Sequence, residues 1–194
     1  VCIGGDPACI VPEIFIARIT TTFNESTARL VLQKSLEIMT GQRPILRNAT
    51  LFIDDDWSYD YSEIDSWFSL AYNPRLVVYD PSETNHDVFF QLLKKPSGLF
   101  YQAIHSAATY LAIYESYGGL YYVYSESIAY SIVGGQLSIL FSCSAADYLE
   151  NKYLSEAYLT GKNTIAVISS TKIGGLWYGN YLAEKLAENL TVGE

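Results

Sequence analysis

Short runs that are apolar almost throughout recur along the chain, separated by longer stretches with helical periodicity. "ATLFI", "GLFYQAI", "QLSILF" and "TIAVIS" each offer apolar side chains to both faces of a strand. A strand of that kind has to be covered on both sides, and strands joined through helices run parallel. The expected fold is therefore a three-layer α/β/α sandwich around a mainly parallel sheet, with residues 1–194 forming a single domain.

The expected elements follow in chain order. "EIFIARI" (Glu13 to Ile19) reads as a strand, and "ESTARLVLQKSLEIMTG" reads as a helix on its Leu30, Val31, Lys34, Leu36, Ile38 pattern, ended by Gly41. The strand "ATLFIDDD", the helix "YSEIDSWFSLAYN" and the strand "RLVVYD" come next, followed by a Pro-Ser turn. "TNHDVFFQLLKK" opens on a capping residue, with His86 beside Asp87 as a capping neighbour, and Pro96 stops the helix. The second half reads as the strand "GLFYQAIH", an irregular stretch from Ser106 to Gly135, the strand "QLSILFSC", the helix "ADYLENKYLSEAYLTG", the strand "TIAVISST" and the helix "YGNYLAEKLAENL". The irregular stretch is longer than most loops, so it either hides a hairpin, for which "GLYYVYSESIAYSIVGG" is suited, or serves function.

Charge and composition exclude several functions. The 12 Lys and Arg stand against 21 Asp and Glu, and no basic cluster exists to neutralise a phosphate backbone, so nucleic acid is not an expected partner. No run reaches the roughly 20 apolar residues of a membrane-spanning helix. No Gly-rich phosphate loop opens a helix after the first strand, which argues against a nucleotide-binding sandwich. His86 and His105 lack cysteines at zinc-ligand spacing. The 17 tyrosines fall at irregular intervals, as rings at a core boundary or on an adhesive surface do.

Cys2 and Cys9 are near enough in sequence to close a small ring, and a disulfide between them would leave Cys143 as the one free thiol. Sequons at Asn24, Asn48 and Asn189 fit an exported protein, which sets the expected location as secreted or cell-surface. The chain begins at Val1 with neither methionine nor a signal-like segment, so it is expected to be a fragment or a processed form of a longer chain.

Chemistry in parallel α/β folds gathers at the carboxyl ends of the strands. Here those ends carry Asp54 to Asp56, Asp80, His105, Cys143 and Ser169 to Thr171. His105 and Cys143 close two successive apolar strands, which makes them a cysteine-histidine dyad by topology. A thiol becomes a strong nucleophile once an adjacent imidazole takes its proton or stabilises the thiolate, and neighbouring backbone N–H groups then supply an oxyanion hole. The residues alone leave a plainer reading open, in which Cys143 is a small packed side chain and His105 caps a carbonyl.

The order of these strands resembles the clan of cysteine peptidases that holds caspases, legumains and gingipains, and within it the gingipain family. "VPEIFIARITT" is similar to a family strand of the form "EVFIGRF", and "VVYDP" to the strand and turn before its histidine helix. "LFSCSAADYLENKYLSEAYLTGKNTIAVISSTKIGGLWYG" is similar to its nucleophile strand, following helix and "VAVIAST" strand. The likeness runs from about Pro12 to Tyr181, with gaps around residues 54 to 74 and 106 to 135.

The resemblance implies a cysteine-type endopeptidase acting on peptide or protein substrates through a thioester. Cys143 matches the nucleophile and His105 the general acid/base. Ser106 stands where the family has a glycine whose N–H helps bind the oxyanion, and Ser144, Ala145 and Ala146 follow Cys143 where the family has another glycine. If Ser106 had to adopt positive φ, its side chain would strain the site. In the arginine-cleaving members an acid upstream of the histidine binds the substrate cation, a role that Asp56 or Asp60 would fill here. The acids have two other readings: a solvated turn at a helix N-terminus, or hard oxygen ligands for calcium, which the family binds. No cofactor is required by this chemistry. The competing function is a catalytically inactive binding or structural module with the same fold, which the departures at Ser106 and after Cys143 favour.

Overall fold

The computed structural model describes residues 25–172 and Lys185. The expected strand at Glu13 to Ile19, Cys2, Cys9, the sequons at Asn24 and Asn189, and the closing helix apart from Lys185 lie outside the described residues. Within them the order is α1 (Glu25–Met39), β1 (Ala49–Ile53), a 3₁₀ turn (Asp55–Asp60), α2 (Tyr61–Phe68), β2 (Arg75–Val78), α3 (His86–Leu93) and β3 (Ser97–Ala103). It continues through β4 (His105–Ser106), β5 (Tyr110–Tyr114), β6 (Leu120–Tyr124), α4 (Ser125–Ala129), β7 (Gly135–Phe141), α5 (Leu154–Leu159) and β8 (Ala166–Ser169).

Five strands form one parallel sheet in the order β2-β1-β3-β7-β8. Of the three inner strands, β1 and β3 are buried at every position, as a sheet covered on both faces requires, and β7 is buried at most of its positions. Side chains alternate along β3: Leu99, Tyr101 and Ala103 enter one core with Ile64 and Phe68 of α2, while Phe100 enters the other with Phe89 and Leu93 of α3 and Leu154 and Tyr158 of α5. Each large side chain buried in this way contributes about 1.5–3 kcal/mol. The result is an α/β fold with helices on both faces of a mainly parallel sheet. Gly98 at the start of β3 is required by packing, since a Cβ there would stand 1.9 Å from the Leu46 carbonyl oxygen.

The α1 pattern is narrower than the sequence suggests. Val31 and Lys34 are buried, whereas Leu30, Leu32 and Leu36 are exposed. Lys34 is buried because its Nζ donates to the carbonyls of Leu159 and Gly161, both at 2.8 Å, and so caps the C-terminal end of α5. Asn85 caps α3 by accepting from the Val88 N–H at 2.9 Å. His86 instead links two elements. Its Nδ1–H donates to Glu115 at 2.8 Å and its ring stacks on Tyr121 at 3.8 Å, which ties α3 to the tyrosine-rich stretch.

That stretch does contain a hairpin, though displaced from "GLYYVYSESIAYSIVGG". Strands β4, β5 and β6 form a three-stranded antiparallel sheet. Gly118 and Gly119, at φ 88° and 102°, make the turn that sends β6 back along β5, and the residues after Tyr124 enter α4 instead of a returning strand. Tyr110 packs edge-on against Tyr122 and Tyr124, while Tyr117 and Tyr130 are exposed. The helix expected over "ADYLENKYLSEAYLTG" is confined to α5. Asp147 Oδ1 accepts the Leu149 N–H at 3.2 Å in a local turn, Lys152 sits at φ 57°, and the Leu154 N–H donates to Ala108 at 2.8 Å, so the chain meets the hairpin before helix can start.

Candidate active site

Strands β3 and β7 pair in parallel with Ala103 opposite Phe141. His105 and Cys143 each follow two residues beyond that pair, at the carboxyl edge of the sheet, on neighbouring strands about 4.8 Å apart. Cys143 is a free thiol at an intermediate level of exposure. His105 has left the parallel sheet and opens β4, so the hairpin holds its backbone.

The imidazole is fixed from the β1 side. Its Nε2–H donates to Asp56 Oδ2 at 2.8 Å. An ionised carboxylate only accepts, so this bond places the proton of the neutral ring on Nε2 and leaves Nδ1 as the basic nitrogen. Trp57 stands against His105 at 5.2 Å and edge-on to Phe141 at 5.4 Å, and Tyr114 meets the ring edge-on at 6.2 Å. These aromatic contacts restrict the ring's rotation about its bond to Asp56.

The three acids at the end of β1 diverge. Buried Asp54 accepts the Tyr114 N–H at 3.0 Å through Oδ2, while its Oδ1 is buried with no partner among the described residues. Burial, opposed by the N–H bonds of Tyr114 and Asp55, pushes its carboxyl up to about 6. Asp55 accepts from the Thr84 hydroxyl at 2.6 Å, and Asp56 takes His105. Among the described residues no three His, Cys, Asp or Glu side chains converge as a metal site. Asp60, at the far end of the 3₁₀ turn, has its carboxyl raised by burial and then by Glu63, and it lies close enough to help raise the buried Tyr101 phenol. The structure brings Asp56 to His105 and leaves Asp60 apart.

Ser106 is extended backbone in β4. The Ala107 N–H donates to Tyr110 at 3.0 Å, which makes Ala107 and Tyr110 a hydrogen-bonded pair of the antiparallel ribbon. Such pairs alternate, so Ser106 opposite Leu111 is an outward pair whose N–H points away from β5. The Ser106 hydroxyl donates to the Cys143 carbonyl. The positive φ lies elsewhere: Ser144 sits at 54°, directly after Cys143. Its N–H donates to Lys172, and that of Ala146 to Ser170, both at 2.9 Å, which laces the turn after Cys143 to the segment after β8.

A buried polar chain supports the same turn. Tyr158 of α5 donates its hydroxyl to Gln102 Oε1, and Gln102 Nε2 donates to the hydroxyl of Ser142, next to Cys143, at 3.4 Å. Sequence reasoning missed Gln102, Tyr158 and Trp57, and it named Asp54 only as one of three like acids. The available signals were a glutamine inside an otherwise apolar strand and a tyrosine inside an apolar helix face.

The fold is that of gingipain-like cysteine peptidases. Among the solved structures it resembles are the Arg-specific cysteine proteinase gingipain R (RgpB), at 15% identity and a TM-score of 0.60 over 86% of this chain, and the complex of Porphyromonas gingivalis RgpB pro- and mature domains, at 17% identity and 0.57 over 75%. The chain spans 42% and 37% of those two chains. At such identities the likeness establishes the fold alone. No family model matches the chain, and no curated protein matches it. No helix among the described residues is long and apolar enough to cross a membrane.

Proposed function

We propose that this domain is a cysteine-type endopeptidase in which Cys143 is the nucleophile and His105 the general acid/base. The observation that carries the reading is the matched register of the two residues at the sheet edge, with His105 held through Nε2 by Asp56. Nδ1 then accepts the thiol proton and the thiolate attacks the peptide carbonyl carbon. The tetrahedral oxyanion is met by the Ser106 N–H, whose direction away from β5 suits that contact. The imidazolium protonates the departing amine as the thioester forms, and the neutral ring then takes a proton from water for hydrolysis. Asp56 is a positioning residue in this scheme, which takes it out of the pocket for a basic substrate residue. An extracellular or surface location fits the gingipain-like fold.

The test is labelling with an irreversible thiol-directed peptidyl inhibitor, the adduct located by mass. Modification of Cys143 that disappears in His105→Ala, with circular dichroism unchanged, is the expected result. Absence of labelling across a panel, or labelling indifferent to His105, overturns the dyad and leaves the inactive binding module.

A further inference from the structure

The peptidase reading leaves open which substrate side chain lies beside the dyad. A cleft of about 520 Å³ begins at Ser144, the residue after Cys143, and among the described residues it is also lined by Asp147, Tyr148, Leu149, Thr171 and Lys172. We propose that this cleft receives a large apolar side chain of the bound peptide, adjacent to the scissile bond; the peptide itself rests on the peptidase reading.

Three observations support this occupant. The volume falls in the range of about 300–1,000 Å³ typical of ligand pockets. Its walls are tied together before any ligand arrives, because the Ser144 and Ala146 N–H groups bond to Lys172 and Ser170. Preorganisation of this kind reduces the ordering cost of binding. Two of its lining residues offer large apolar side chains that are accessible, Leu149 at 83% and Tyr148 at 41% exposed. The cleft carries one acid and one base, Asp147 and Lys172, so its charges offset each other and an incoming guanidinium or ammonium meets Lys172 as well as the carboxylate. On the other flank of Cys143, Trp57 occupies the space between His105 and Phe141.

The experiment uses the Cys143→Ala protein, which keeps the cleft but lacks the nucleophile. Fluorescently labelled hexapeptides identical except for one central residue (Phe, Leu, Asp or Arg) are titrated by anisotropy. The Phe and Leu peptides are expected to bind about tenfold or more tighter than the Asp and Arg peptides, within the range a hydrophobic pocket discriminates. Leu149→Arg in the same background is expected to remove that preference, and Leu149→Met to retain it. Equal binding of all four peptides, a preference for Arg, no binding at all, or indifference to Leu149→Arg would each overturn the proposal. Failure of the dyad is read separately, by inhibitor labelling of the native protein: apolar-selective binding without labelling removes the peptidase chemistry and supports the cleft.

Discussion

His105 and Asp56 are joined by a 2.8 Å hydrogen bond through Nε2, with the two side chains 42% and 49% exposed. A pair so open to solvent adds at most about 1 kcal/mol to stability. Its effect on orientation is larger, because it selects the tautomer with a free Nδ1. Asp56→Asn is therefore expected to slow inhibitor labelling of Cys143 by about tenfold to a hundredfold while moving the melting temperature by only a degree or two. Parallel labelling-rate and thermal-melt measurements check this, and an unchanged rate would remove Asp56 from the site.

Asp54 makes stability depend on pH in the direction opposite to an ordinary paired acid. Its carboxyl titrates at about 6 in the folded protein against 3.8 as the ordinary value. The folded state therefore holds the proton more tightly, and the contribution present below pH 3.8 is lost as pH rises through 6. The loss amounts to about 3 kcal/mol for a shift of this size. Denaturant titrations of the native protein and of Asp54→Asn from about pH 4 to 7.5 measure it. The variant should fail to show this decline and be the more stable protein at the upper end of that range, since an amide still accepts the Tyr114 N–H and carries no buried charge.

Much of this arrangement is legible in the sequence because it depends on local pattern. The runs of β1, β3 and β7 are apolar on both faces, and such strands end where polar residues appear, so His105 and Cys143 can be matched from the pattern alone. The partner of His105 is not legible in the same way. Three consecutive aspartates look alike in sequence, and only the turn geometry after β1 sends Asp54 inward, Asp55 to Thr84 and Asp56 to the imidazole. The shortened α5 is hidden for a similar reason. Nothing in its helical pattern announces that the Ala108 carbonyl captures the Leu154 N–H from across the site.

Ser144 at φ 54° holds a conformation that costs an L-residue about 1 kcal/mol and glycine little. Ser144→Gly should raise stability by about 0.5–1 kcal/mol, and Ser144→Val should lower it by more, since a β-branched side chain suits that region poorly. Chemical denaturation of the three proteins checks the order. Beside the dyad, backbone strain thus falls on the position after Cys143 and not on Ser106, which is extended in β4.

The buried chain from Tyr158 through Gln102 to Ser142 allows a test that separates polar satisfaction from packing. Tyr158→Phe keeps the ring in the core but leaves the buried Gln102 Oε1 without its donor, at a cost of about 1–3 kcal/mol. Gln102→Leu alone leaves the Tyr158 hydroxyl buried and unpaired, and costs a similar amount. In the double variant neither Tyr158 nor Gln102 strands the other, and only Ser142 loses a donor, so it should be less destabilised than the sum of the two, with a coupling of about 1 kcal/mol or more in a denaturation cycle. Ser142 loses a neighbour in both Gln102 variants, and because it adjoins Cys143, inhibitor labelling should slow in those two and be little affected in Tyr158→Phe. Additive stabilities across the cycle would show that Tyr158 and Gln102 are packed side by side without acting as a unit.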